Sequence, residues 1–299
     1  MNLGRCFKRG GTMGKRFNIP QFPGHKNKVF TLSFDDGVVQ DRRLIKLFDK
    51  YGVKATFNLG YGVLGYKGES LSPAGRKIDI SKVEKEEVKK LYQDHEVGGH
   101  GLYHSSLTGI GSEGAMYEII EDKRCLEDLI EKPVTMFAYP FGHYDDTVVQ
   151  LLKLAGYKGA RTVNSTYRFD LPKDPLILDP TCHYADEKIM DLARQFCESR
   201  SFAPQMFYVW GHAYELDGND DWDRLEELLS YIAQYKDEIW FAGNGQILSY
   251  LEACKMLEYS VDGSFVYNPT CTDVDVLTAF GVEEHIAAGK ITKLKETSL

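Results

Sequence analysis

Residues 31–37 read T-L-S-F-D-D-G, and the two adjacent aspartates decide how the chain is read. Neighbouring carboxylates repel, and each costs free energy to desolvate. In a regular strand, consecutive side chains point to opposite faces, so Asp35 and Asp36 would not share a site there. Gly37 lets the chain leave the strand through conformations that other residues avoid. The stretch therefore reads as a strand ending in a turn that aims two acids at one place. A polar turn after a core strand is the plainer reading, since Asp-Asp-Gly is also ordinary turn chemistry.

Outward from this stretch, short apolar runs alternate with longer amphipathic ones. Strands are expected at 29–34, 54–59, 96–100, 134–139, 158–163, 206–211 and 239–243. Helices are expected near 40–51, 82–94, 113–131, 145–155, 187–200, 221–236 and 246–258. Ser81 with Glu84 resembles a capping box opening the second helix, and Gly52 and Gly156 stand where helix C-caps belong. This alternation implies an α/β fold, one parallel sheet wrapped by helices in a closed or nearly closed seven-stranded barrel forming a single domain. Residues 61–80 form a Gly-rich loop and 164–185 another long connection. The expected division is an N-terminal extension (1–27), a barrel (28–258) and a C-terminal extension (259–299). In the last, S-V-D-G-S-F-V-Y-N forms a hairpin before a polar tail.

With 43% hydrophobic residues, the chain of 299 can bury a sizeable core. Its net charge of -8 argues against nucleic acid or an anionic membrane as a partner. No apolar run is long enough for a transmembrane helix. The six cysteines, at 6, 125, 182, 197, 254 and 271, include no C-x-x-C pair. They are expected to be reduced and mostly packed in the interior. The N-terminus is basic without an apolar segment behind it, so the chain reads as cytoplasmic, and Met13 is an alternative start.

In a β/α barrel, reactive groups collect at the C-terminal ends of the strands. The first strand ends in Asp35 and Asp36, and the third ends in His100, with His104 following. The fourth ends in Tyr139-Pro140-Phe141-Gly142, the fifth carries Arg161, and the sixth ends in Trp210-Gly211-His212. His100 and His104 are four apart, which puts two imidazoles on one side of a helical turn, as in many divalent-metal sites. A carboxylate such as Asp36 would complete a two-His, one-carboxylate set with positions open to water and substrate. Two half-buried histidines in an irregular loop are the simpler alternative.

These motifs resemble those of the polysaccharide deacetylases with the NodB-homology fold, carbohydrate esterase family four. The resemblance covers roughly residues 28–258. It rests on F-D-D-G at 34–37, H-G-L-Y-H at 100–104 where the family has H-[ST]-x-x-H, A-Y-P-F-G at 138–142, and W-G-H at 210–212. It implies a distorted (β/α)7 barrel with one divalent cation, zinc first and cobalt, manganese or nickel as the others. Asp36, His100 and His104 would be the ligands, Asp35 the general base and His212 the general acid. An oxyanion donor would lie near Phe141, with Tyr139 and Trp210 beside the substrate.

The chain departs from the family pattern at three points. Ala138 stands where the family has an arginine that pairs with the catalytic aspartate, and Arg161 on the fifth strand is expected to take over that role. Gly101 replaces a Ser or Thr. The family's D-x-x-D-W segment, whose aspartate tunes the acid histidine, has no clean match, and Asp179 is the candidate for its role. His95, His143 and His183 are expected at the surface or behind the site. The implied activity is removal of N-acetyl, or in a variant O-acetyl, groups from a carbohydrate. A hydrolase of small amides such as cyclic imides or ureides is one alternative, and a non-catalytic carbohydrate-binding relative is another.

Overall fold

A computed structural model describes residues 18–278 and 281–295; Cys6 and Met13 lie outside the described residues. The larger of two compact units comprises residues 28–201 and 205–249. Its strands are β1 (Lys28–Asp35), β2 (Ala55–Leu59), β3 (Glu96–Gly99), β4 (Met136–Ala138), β5 (Gly159–Arg161), β6 (Cys182–His183), β7 (Gln205–His212) and β8 (Ile239–Phe241). Its helices are α1 (Asp41–Tyr51), α2 (Lys85–Leu91), α3 (Gly111–Ile130), α4 (Asp146–Leu154), α5 (Ile189–Glu198), α6 (Ala213–Asn219) and α7 (Trp222–Ala233). A further helix, α8 (Asn244–Lys255), begins in this unit and runs into the smaller one.

All strands of this sheet run parallel, in the order β5-β4-β3-β2-β1-β7-β6. β1 is buried along its whole length, its polar Thr31 and Ser33 as well as Val29, Phe30, Leu32 and Phe34. β8 lies beside the first residues of β1, with Ile239 opposite Lys28, whereas β2 joins only from Leu32 onward. The sheet curls almost into a ring. Thr162 N–H donates to Leu178 O at 2.9 Å and Leu178 N–H to Ala160 O at 2.8 Å, and β6 then pairs with β7. The result is a distorted (β/α)7 barrel.

Helix α1 shows how sequence drives the packing. Leu44, Ile45 and Phe48 recur on one face and are buried, and Gly52 ends the helix at φ 67°. The Phe48 ring sits 5.7 Å from that of Phe34 and 6.1 Å from that of Phe57. Truncating such a core phenylalanine to alanine costs roughly 3–5 kcal/mol.

Several boundaries differ from expectation. The cap of α2 is Glu84 with Glu87, not Ser81 with Glu84. Ser81 is held in extended backbone instead, because Val39 N–H donates to Ser81 O and Val83 N–H to Gly37 O. A separate short helix, α6, precedes the helix expected at 221–236. β6 falls inside the expected loop 164–185, since two residues are too few to carry a period-2 pattern.

The smaller unit groups the described parts of 1–27 and 250–299 with residues 202–204. Ile19–Gln21, Val274–Leu277 and Glu283–Ile286 form one antiparallel sheet. Glu258–Tyr259, Phe265–Tyr267 and Ile291–Lys293 form another, and the expected hairpin at Asp262-Gly263 belongs to it. The segment beyond that hairpin is thus not a polar tail. Two of its strands pair antiparallel, and Val274, Val276 and Ile286 are fully buried. The Tyr250 hydroxyl ties this unit together, donating to Gln21 O at 2.6 Å and accepting from Asp275 N–H at 2.9 Å. Among the described residues, Cys182 and Cys197 are buried, Cys125 and Cys254 intermediate and Cys271 exposed, all as free thiols. No helix of the described residues is long and apolar enough to cross a membrane.

Candidate active site

Asp35 ends β1 and is 2% exposed. Asp36 leaves the strand at φ 83°, with its N–H donated to Asn58 O at 2.9 Å. This left-handed step turns the second carboxylate back, so that both acids line one cavity of about 510 Å³. Gly37 follows at φ 58°, where a Cβ would meet Leu59 Cδ2 at 2.7 Å, so the position requires glycine. His104 at φ 56° and Phe141 at φ 59° are left-handed too. Each such residue costs of order 1–3 kcal/mol, a strain that collects at functional sites.

One donor atom each from Asp36, His100 and His104 lie within 4.8 Å of one another. The His104 Nε2 is 3.6 Å from Asp36 Oδ1. His100 Nδ1 lies 2.7 Å from Ala138 O; a carbonyl only accepts, so Nδ1 carries the proton and Nε2 keeps its lone pair. Burial pushes the His100 pKa down to about 4 and lowers that of His104, so both rings are neutral at neutral pH, as metal ligands must be. This donor set fits a divalent cation.

The two histidines meet through a tight turn rather than the expected helical turn. His104 N–H donates to Gly101 O at 3.2 Å, and Gly101 has φ 77°. Glycine replaces Ser or Thr because the backbone there is left-handed. Two acids one turn apart on α3 hold the loop, and sequence reasoning missed both. Glu118 accepts from Tyr103 N–H at 2.8 Å and Ser105 Oγ at 3.0 Å. Asp122 accepts from Tyr61 N–H at 2.7 Å and His100 N–H at 3.0 Å, and burial pushes its pKa up to about 7. Their i, i+4 spacing on an inward face was the available signal.

Asp35 has a different set of partners. Asn58 Nδ2 donates to its Oδ1 at 2.8 Å, and Arg161 Nη2 donates to its Oδ2. Arg161 is 1% exposed, donates from Nη1 to Thr162 O at 3.0 Å, and stacks 4.4 Å over the Trp210 ring. Ala138 of β4 lies opposite Arg161 in the register, so the guanidinium comes from the strand next to the missing arginine. Burial works against the Asp35 carboxylate. The charges of Arg161, His100 and His212, with the Asn58 hydrogen bond, more than offset it and hold its pKa below the usual range.

His212 ends β7, its Nε2 3.9 Å from Asp35 Oδ2. Behind it, Glu215 reaches back from the first turn of α6. Its Oε1 is 3.3 Å from His212 Nδ1, and its Oε2 is 3.0 Å from His183 Nε2. Burial disfavours the imidazolium of His212, but Glu215, Asp35 and Asp36 outweigh it and raise the pKa above the ordinary value. Asp179, the sequence candidate for this contact, is elsewhere: its Oδ1 accepts from Thr162 Oγ1 at 2.5 Å and Asn164 Nδ2 at 3.3 Å. The missed signal was H-x-x-E at 212–215, a capping-box spacing at a strand-to-helix junction.

Tyr139, Phe141 and Trp210 line the same cavity. The Tyr139 hydroxyl is committed to Leu176 O at 2.8 Å, so its ring serves as wall. Phe141 is 59% exposed at the mouth and meets the His104 ring edge-on at 4.5 Å. His143 is exposed and bonded to Ser106 at 3.1 Å. His95 is neither at the surface nor behind the site. Its ring packs in the core, 6.0 Å from Phe48 and 5.5 Å from Phe57, because the edge of an imidazole fits an aromatic cluster.

Residues 23–160 match the family model for polysaccharide deacetylases, a stretch that holds both aspartates, His100 and His104 but ends before Arg161 and His212. A candidate polysaccharide deacetylase from Bacillus subtilis is 23% identical over 134 residues, 44% of this chain and 43% of that protein. A peptidoglycan-N-acetylglucosamine deacetylase from Bacillus cereus is 24% identical over 136 residues, 45% of this chain and 56% of that protein. The matched stretch thus spans about half the length of these curated relatives. The solved structure of a candidate polysaccharide deacetylase from Mycobacterium smegmatis superposes with a TM-score of 0.56 at 17% identity, covering 81% of this chain and 96% of that one, which supports the fold alone. The likeness to the polysaccharide deacetylase family thus rests on residues 23–160, just under half of the chain.

Proposed function

We propose that the protein is a metal-dependent deacetylase that hydrolyses N-acetyl groups of a carbohydrate, with O-acetyl groups accessible to the same residues. The observation that carries this reading is the division of labour between the adjacent acids. Asp36 shares its cluster with His100 and His104, while Asp35 is bonded to Arg161 and Asn58. A binding module has no need of a second carboxylate held apart in this way.

Asp36, His100 and His104 would hold one divalent cation, zinc being best suited to two imidazoles and a carboxylate. When bound, the ion polarises the acetyl carbonyl and lowers the pKa of a nearby water. Asp35 takes a proton from that water as its oxygen adds to the carbonyl carbon. Arg161 and Asn58 keep Asp35 oriented and ionised for this step. The backbone N–H of Phe141 is the proposed donor to the developing oxyanion. An amine does not leave as an anion, so His212 delivers a proton to nitrogen as the C–N bond breaks, giving acetate and a free amine. The Trp210, Tyr139 and Phe141 rings supply the walls against which a sugar ring would lie.

Acetate release should be measured from N-acetylglucosamine oligomers, acetylated xylan and small cyclic amides, with zinc, cobalt, manganese and nickel. Release from the oligomers that stops with a chelator and returns with added metal supports the proposal. Turnover of cyclic amides alone, or of nothing, overturns it.

A further inference from the structure

Each aspartate of the pair has its own cation, and the two cations are held very differently. The guanidinium on Asp35 is buried, bonded to Thr162 O and stacked on Trp210. The cation on Asp36 is Lys82, whose Nζ lies 3.4 Å from Asp36 Oδ1. That oxygen is the same one that faces His104 Nε2 at 3.6 Å. The ammonium therefore competes for the carboxylate of the Asp36, His100, His104 cluster.

The backbone of Lys82 is fixed, while its side chain has only one acidic partner within ion-pair reach among the described residues. It forms an isolated bridge with Val38, directly after the Asp-Asp-Gly turn, and its N–H donates to Tyr66 O at 2.8 Å. A lysine carries a compact point charge on a flexible four-carbon stem, whereas a stacked and forked arginine is held in place. Lys82 can thus move off Asp36, and Arg161 cannot leave Asp35. We propose that Lys82 is a displaceable counter-ion of the metal site: it neutralises Asp36 when the site is empty and competes with the incoming dication, which lowers metal affinity. This rests on the assignment of Asp36, His100 and His104 as ligands. It raises the free metal concentration needed to load the site, because an entering dication must first displace a charge already in place.

The test measures metal binding itself. Zinc affinity is determined by competition with a chromophoric chelator for the wild type, Lys82→Met and Lys82→Arg, with folding followed by thermal melting. Lys82→Met should bind zinc at least tenfold more tightly, since it removes a positive charge a few ångströms from the ion. Lys82→Arg should bind no more tightly than the wild type. Without metal, Lys82→Met should melt lower than the wild type, because Asp36 then faces Asp35 without its counter-ion, and zinc should raise its melting temperature more. An unchanged or weaker affinity in Lys82→Met, with wild-type binding intact, overturns the counter-ion role alone. Absence of zinc binding in all three folded proteins overturns the ligand assignment, and this proposal with it.

Discussion

Glu215 Oε1 lies 3.3 Å from His212 Nδ1, a contact made between two residues three apart at the start of α6. The second oxygen of the carboxylate is occupied by His183, which leaves the first aimed at His212. A negative charge there favours the imidazolium, and the His212 pKa is raised accordingly. A general acid works only while protonated, so the rate should fall as pH rises through this pKa. Glu215→Gln removes the charge and lowers the pKa, so the alkaline limb of the rate profile should move to lower pH. A pH–kcat series on both proteins checks this; an alkaline limb that stays in place would remove Glu215 from the mechanism.

The buried pair of Arg161 and Asp35 makes a second expectation. Lysine cannot stack on Trp210 and hold both Thr162 O and Asp35 as the guanidinium does. Arg161→Lys should therefore lower kcat by roughly tenfold or more with the fold retained. Arg161→Met should in addition destabilise by about 3–5 kcal/mol, since it strands a buried carboxylate. Steady-state rates and denaturant melts read the two effects separately. Full activity in Arg161→Lys would mean that Asn58 alone orients Asp35.

The two aspartates should separate by metal content. Asp35→Asn should keep about one equivalent of metal and lose turnover, because an amide does not accept the proton of the water. Asp36→Asn and His104→Ala should lose metal as well as activity, with melting still cooperative. Elemental analysis of the purified variants decides, and equal metal in all of them would discard the ligand set.

Asp41, buried at the start of α1, should make stability fall with rising pH. Burial pushes its pKa up to about 8 from an ordinary value of 3.8, and the Tyr92 hydroxyl donates to it at 2.6 Å. Below the ordinary value both folded and unfolded chains hold the proton. Between the two values the unfolded chain has released it while the folded chain keeps it, so unfolding becomes easier by up to about 1.4 kcal/mol per pH unit. Asp122 and Glu96, also raised by burial, act in the same direction, so the contribution of Asp41 is read as a difference. Asp41→Asn should show a shallower decline in denaturant midpoint from pH 5 to 8 than the wild type. Parallel declines would mean that Asp41 is ionised in the folded protein.

The alternation of apolar runs and amphipathic stretches was enough to determine the barrel, because period 2 and period 3.6 are local properties of the chain. The same is true of the grouping of the acids and histidines that end strands, since the strand ends of a parallel barrel converge whatever the loops do. That Asp35, Asp36, His100, His104 and His212 line one cavity could be expected for that reason. What the sequence left open was how these groups are held. Asp122 and Glu118 lie far along the chain from the turn they support, and His183 belongs to a strand too short to show a pattern. Pairing of Arg161 with Asp35, which the alanine at 138 led the sequence reading to expect, spans 126 positions and depends on two neighbouring strands being in register. The left-handed step at Asp36 and the ammonium of Lys82 beside it depend on a loop docking against the end of β1. Hydrogen bonds and charges between distant segments exist only once the sheet has curled, so tertiary structure alone put Glu118 and Asp122 under the His100–His104 turn, Glu215 between His183 and His212, and Lys82 beside Asp36.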